Sequence, residues 1–108
     1  MAWSRTAYRL VHQDLRDGTA TLAFAGELDL TVVPALARHL EQALAQRPGR
    51  LVLDLTQVTF VDVAAARLLA GATRLQPAAG PPVLRRPCPE ARRILALTGF
   101  DALCEFDD

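Results

Sequence analysis

An α/β fold with a mixed sheet is predicted for this chain by three observations. An Asp17-Gly18 turn signal joins two short strand-like runs near the start. The run Leu51-Val-Leu-Asp-Leu55 is almost continuously apolar, as a central strand is. Three other stretches repeat apolar residues at helical spacing, and strand-like runs separate them. The expected order is β-β-α-β-α-β-α-β. An N-terminal hairpin leads into parallel strands, and right-handed crossovers pack helices against the sheet.

The elements follow in order. Ala7 to Val11 reads as the first strand. Thr19 to Ala25 alternates, with Ala20, Leu22 and Phe24 on one side, and reads as the second. Gly26-Glu-Leu-Asp-Leu30 is expected to be a loop. Thr31 then caps the first helix through its hydroxyl, and Pro34 falls in the first turn, where its missing N–H costs nothing. Val33, Leu36, Leu40 and Leu44 form that helix's apolar stripe; Arg38, Glu41 and Gln42 form its wet face. Pro48-Gly49 ends it. After the strand Leu51–Leu55, Gln57 to Val61 is expected as a connection. Ala64 to Leu75 is the second helix, with Ala65, Leu68, Leu69 and Ala72 facing inward. Asp62 lies where a carboxylate accepts its first free N–H groups. Pro77 to Pro82 is a turn and Val83-Leu84 a short strand. Pro89 opens the third helix, whose core stripe is Ile94, Leu95 and Leu97. Gly99 ends it in a left-handed conformation, Phe100 folds back, and Leu103 to Phe106 closes as a strand.

Bulk properties narrow the function. The 108 residues suit one domain, 1–108, with residues 1–6 expected to be flexible. Hydrophobic residues make up 51% and charged residues 22%, enough apolar surface to offset the entropy of ordering. Twelve basic residues balance twelve acidic ones, so no overall field gathers the chain onto nucleic acid or an acidic membrane. Lys and Asn are missing, while Ala, Leu, Arg and Pro abound. This reads as codon usage in a GC-rich genome, not as a nucleic-acid signal. No apolar run reaches the roughly 18 residues of a spanning helix. Met1 to Leu10 lacks the apolar centre of a secretory leader. Cys88 and Cys104 match no metal spacing and are expected as reduced thiols, with a disulfide between them the lesser alternative. A cytoplasmic protein is expected.

Enzymatic signatures are missing. The chain has no G-x-S-x-G, no phosphate-binding loop, no G-x-G-x-x-G and no metal cluster, and its one serine is Ser4. No catalytic residue, cofactor or metal is expected. His12 and His39 stand apart from each other and from both cysteines, and read as surface residues. Arg85-Arg86 and Arg92-Arg93 flank the start of the third helix, where an anion could be held, but a solvated surface is the plainer reading.

Three stretches in order resemble the STAS family of anti-sigma factor antagonists. Phe24-Ala-Gly-Glu-Leu-Asp-Leu-Thr31 is similar to the family's G-E-L-D segment. Leu51-Val-Leu-Asp-Leu-Thr-Gln-Val-Thr-Phe-Val-Asp62 is similar to its central strand and following loop, which normally continues D-S-S-G-L or D-S-T-G-L. Val83-Leu-Arg-Arg-Pro-Cys-Pro89 through Ile94-Leu-Ala-Leu-Thr-Gly-Phe100 resembles its closing strand and last helix. The likeness spans about Tyr8 to Phe106. It implies a small mixed sheet packed against helices. It also implies a non-catalytic module that binds a GHKL-type serine kinase doubling as anti-sigma factor. Phosphorylation of the Ser or Thr after the loop Asp ends that binding, because a phosphate adds roughly −1.5 to −2 charges beside a carboxylate.

The pattern breaks at that place. Asp62 is followed by Val63-Ala-Ala-Ala66, so both hydroxyl positions, Val63 and Ala64, are degenerate and the Gly is lost. The resemblance places a partner surface on Glu27, Asp29, Thr31, Asp62, Val63, Ala64, Ala65 and Arg67. Asp62 carries two compatible readings, helix cap and partner contact. Glu27 and Asp29 are either that surface or loop solvation. Thr56 and Thr59 are the nearest other hydroxyls, with Thr59 expected to be half-buried. Three functions stay open: an antagonist blind to phosphorylation at the usual site; a scaffold subunit of a sensor complex, transport ATPase or homo-oligomer; and a small-ligand or nucleotide binder.

Overall fold

The computed structural model describes residues 7–75 and 78–108. The expected flexible terminus and the first residue of the expected Pro77–Pro82 turn lie outside them. Among the described residues, five strands form one sheet in the order β1 (Arg9–Arg16), β2 (Thr19–Leu28), β3 (Arg50–Val61), β4 (Val83–Arg85) and β5 (Glu105–Asp107). The β1–β2 pair is antiparallel and the others are parallel. The helices are α1 (Val33–Leu44), α2 (Val63–Leu75) and α3 (Pro89–Leu97), with 3-10 turns over Leu30–Val32 and Phe100–Leu103. The element order and the mixed sheet agree with the sequence reading.

All three helices share one core with one face of the sheet. Leu22, Phe24, Leu51, Leu53, Leu55 and Leu84 meet Leu36 and Leu40 of α1, Ala65 and Leu69 of α2, and Leu95 of α3. The small residues Ala65, Ala66 and Ala70 are buried on α2, which lies against both α1 and α3. The register turns Arg50, Asp54, Arg85, Glu105 and Asp107 to the opposite face. There Arg50 pairs with Glu105 across the intervening β4, and Arg85 donates to Asp107 at 3.0 Å. Exposed pairs of this kind contribute little stability, but they keep the open face polar.

Several boundaries differ from the sequence reading. The first strand begins at Arg9 and continues to Arg16, through residues too polar to alternate, because β1 is an edge strand with much of its length in water. The second does not end at Ala25; Gly26, Glu27 and Leu28 belong to it. The expected Gln57–Val61 connection is likewise strand. Both extensions have one cause, the parallel β2–β3 pairing, which persists to Leu28 opposite Val61. Two bulges disguise it in sequence. The register slips once between Ala23 and Ala25 and again between Gly26 and Glu27, each time with an extra residue on β3. At the first bulge the Asp54 carboxylate accepts the Thr56 amide at 2.9 Å, giving a displaced backbone group a partner. At the second, Gly26 takes φ 90°, which favours glycine.

The third helix corrects one core assignment. Leu95 is fully buried and Ile94 packs partly against the core, but Leu97 is 73% exposed. Two residues along a helix turn a side chain about 200° away. Ala91, one turn before Leu95, takes the inward place. Gly99 adopts φ 79° and Phe100 is fully buried, as expected of the helix end.

Candidate partner-binding surface

The parallel strands β2 and β3 finish side by side. The Asp62 amide donates to the Leu28 carbonyl at 3.0 Å, so both chains leave the sheet at one point. From there β2 enters the 3-10 turn and β3 enters α2. Asp62 holds the two exits together. Its Oδ1 accepts the Ala65 amide at 2.9 Å, capping α2, and its Oδ2 accepts the Leu30 amide at 2.9 Å. The cap reading of Asp62 is therefore correct, and the same carboxylate is also a tertiary clamp.

Thr31 is not the cap of α1. Position Val32 precedes that helix and makes no side-chain bond to it. The Asp29 carboxylate caps the 3-10 turn ahead of α1 instead: its Oδ1 accepts the Thr31 amide at 2.9 Å and the Thr31 hydroxyl at 2.5 Å. The extra 3-10 turn moves the start of α1 two residues past the threonine.

The side chains around this clamp form a mixed surface. Leu30 is 68% exposed, Phe60 41% and Val63 39%. Exposed large apolar groups gathered at one end of a domain mark a candidate contact site. Thr31 and Arg67 are also exposed, and Arg67 lies one turn after Val63 on the same face of α2. Glu27 is partly buried and pairs in register with Phe60. Ala64 is partly buried. Ala65 is fully buried, because the third residue of α2 points into the core, and so leaves the contact set. Sequence reading missed Leu30 and Phe60. The available signal was an apolar side chain inside a stretch otherwise read as loop.

The remaining candidates do not join this surface. Arg85 faces Asp54 and Asp107, while Arg92 donates to Asp108 at 2.9 Å and lies over the Phe106 ring at 4.2 Å. Arg85 and Arg92, one of each arginine pair, are thus spent on carboxylates of β3 and the C-terminal segment. Thr56 is exposed and donates its hydroxyl to Asp54 at 2.5 Å. Thr59 is exposed, not half-buried, since it is the extra residue of the second bulge. Cys88 and Cys104 are free thiols, and burial pushes Cys104 up to about 12, with Asp101 adding to the effect.

His39 is not a plain surface residue. The Tyr8 hydroxyl is bonded to its Nδ1 at 2.6 Å, and the Tyr8 ring stacks between His39 and Phe24. Burial, with Arg38 beside it, holds the imidazole below its ordinary pKa, and burial raises Tyr8 to about 12. A protonated tyrosine and a neutral imidazole thus share this bond, with the donor set by the imidazole tautomer. Among the described residues, no group of three or more His, Cys, Asp or Glu could hold a metal ion. No described helix is long and apolar enough to cross a membrane.

A mixed five-stranded sheet with helices on one face, its central strand running into a helix through a capping Asp, defines a small α/β domain of known type. Residues 11–105 match the family model described as "Mlab, STAS domain", and the chain belongs to the STAS domain family. Its fold superposes on an anti-sigma factor antagonist from Mycobacterium paratuberculosis with a TM-score of 0.76 and 27% identity, over 94% of this chain and 86% of that one. The unphosphorylated anti-sigma factor antagonist SpoIIAA shares the fold with a TM-score of 0.73 at 22% identity, over 94% of this chain and 89% of that one. The anti-sigma-F factor antagonist RsfB of Mycobacterium tuberculosis is 35% identical over 54 residues, which is 50% of this chain and 44% of RsfB. The chain thus matches less than half the length of that curated relative.

Proposed function

We propose that this protein is a non-catalytic, cytoplasmic regulatory module that acts as an anti-sigma factor antagonist. It docks a GHKL-type anti-sigma kinase through Leu30, Thr31, Phe60, Val63 and Arg67, around the Asp62 clamp. Glu27 and Asp29 border this surface. The kinase cannot switch it off at the usual place, since neither Val63 nor Ala64 carries a hydroxyl.

The observation that supports the reading most is the clamp itself. Asp62 fixes the turn that carries Leu30 and Thr31 against the first turn of α2. A surface held in its bound shape loses little conformational entropy on docking. The three exposed apolar side chains supply area to bury, and Arg67 supplies a charge for orientation. The names of the relatives point the same way.

The test is calorimetric titration of the chain with purified GHKL-type anti-sigma kinases from its own genome. Saturable one-to-one binding to one of them is expected, with no phosphate appearing on the Asp62–Ala66 peptide. Lack of binding to any of them would remove the antagonist role.

A further inference from the structure

We propose that the groove between α1 and α2 is a self-association face, closed by a second copy of this chain in a two-fold contact. The inference goes beyond the antagonist reading and does not depend on it.

The groove is a cavity of about 510 Å³, with Glu41 and Leu44 on its α1 wall and Leu68, Gly71 and Leu75 along its α2 wall. Leu68, Gly71, Ala72 and Leu75 repeat at helical spacing. They form a second apolar row on α2, beside the row of Ala65 and Leu69 that is fully buried. Leu75, at the end of the second row, is 89% exposed. Gly71 is a further sign. It lies inside α2, where glycine is among the poorest helix formers. A methyl group at Gly71 would meet nothing beyond its own helix within 4 Å, so packing inside the chain does not call for glycine there. A glycine facing a groove lets another backbone come close.

Charge decides which chain that is. Glu41 and Arg67 stand on opposite walls, both exposed, and neither has an ion-pair partner among the described residues. A two-fold axis along the groove sets the α1 wall of each copy against the α2 wall of the other. Every contact then occurs twice, in reverse. Glu41 of one copy meets the partner's Arg67, and Arg67 meets the partner's Glu41. The face therefore carries its own complement, acid against base, around an apolar row that the facing α1 wall covers. Arg67 is the residue it shares with the docking surface above, so the test reads assembly and not kinase binding.

The experiment is sedimentation equilibrium of the full chain from low to high micromolar concentration. A reversible monomer–dimer equilibrium is expected. Glu41→Arg and Arg67→Glu should each weaken it ~10-fold or more, and the double exchange should restore it to within about 3-fold of wild type. Gly71→Gln fills the approach without meeting anything in its own chain. It should also weaken the dimer ~10-fold, while the monomer melts no lower than wild type, because glutamine is the better helix former. A chain that stays monomeric throughout overturns the proposal and leaves the groove to another occupant. A dimer that these variants leave intact, or that the double exchange fails to restore, overturns it as well.

Discussion

Asp62 and Leu30 are 32 residues apart in the chain and joined by one hydrogen bond of 2.9 Å, carboxylate to amide. With the second oxygen of Asp62 capping α2, that bond makes a single side chain responsible for the junction of β2, β3 and α2. Asp62→Ala leaves two backbone amides without their partner. The expected cost is about 1–3 kcal/mol, a partly buried cap and a second, exposed hydrogen bond together. In thermal melts this is a drop of roughly 5–15 °C. Asp62→Asn keeps a carbonyl for one of the two amides and should lose less. A melt unchanged in Asp62→Ala would show that the junction holds without the clamp.

The docking surface predicts a different pattern. Leu30→Glu and Val63→Glu place charge where apolar area is to be buried, yet the wild-type Leu30 is mostly, and Val63 partly, in water. Folding stability should move by no more than about 0.5 kcal/mol. Affinity for the kinase should fall ~10-fold or more, as expected for apolar positions central to an interface. Equal affinity for wild type and both variants, at equal stability, would place the interface elsewhere on the domain.

The fold was legible because its signals are periodic. Leu36, Leu40 and Leu44, and likewise Ala20, Leu22 and Phe24, keep their spacing through whole elements, and all are buried. The far ends of β2 and β3 were not legible, because two bulges on β3 break the alternation over Thr56 to Phe60. Asp62 could be read as a cap from its local spacing. Its bond to Leu30 could not, since that bond depends on the parallel pairing of strands that are distant in sequence. Thr31 does not reach α1 for a local reason, an added 3-10 turn, capped by Asp29, that no apolar period encodes.

The Tyr8–His39 pair predicts how stability responds to pH. The folded imidazole has a lowered pKa, so the unfolded chain takes up its proton first as the solution is acidified. This contribution is therefore complete above the ordinary imidazole pKa of about 6.5, and it is lost as pH falls toward the folded value. Tyr8 acts on the other side. Its folded pKa is raised from 10.0 to about 12, so its contribution is complete below 10 and is lost as pH rises through that interval. Urea midpoints measured across pH should decline on both limbs. His39→Gln should flatten the acid limb near pH 6 and leave the alkaline one. An acid limb unchanged in that variant would assign it to carboxylates.

The rotation of α3 can be tested with two neighbouring leucines. Leu95 is fully buried among the core residues, and Leu97 is 73% exposed. Leu95→Ala removes packed methyl groups and leaves a cavity, at an expected cost of about 2–5 kcal/mol. Leu97→Ala removes a side chain that is mostly in water and exchanges it for a better helix former, so a change within about 0.5 kcal/mol is expected. Chemical denaturation of the two variants under one buffer decides the matter. Similar losses for both would mean that Leu97 is covered in solution, by a second copy or by another segment of chain, and a sedimentation measurement would then separate those two causes.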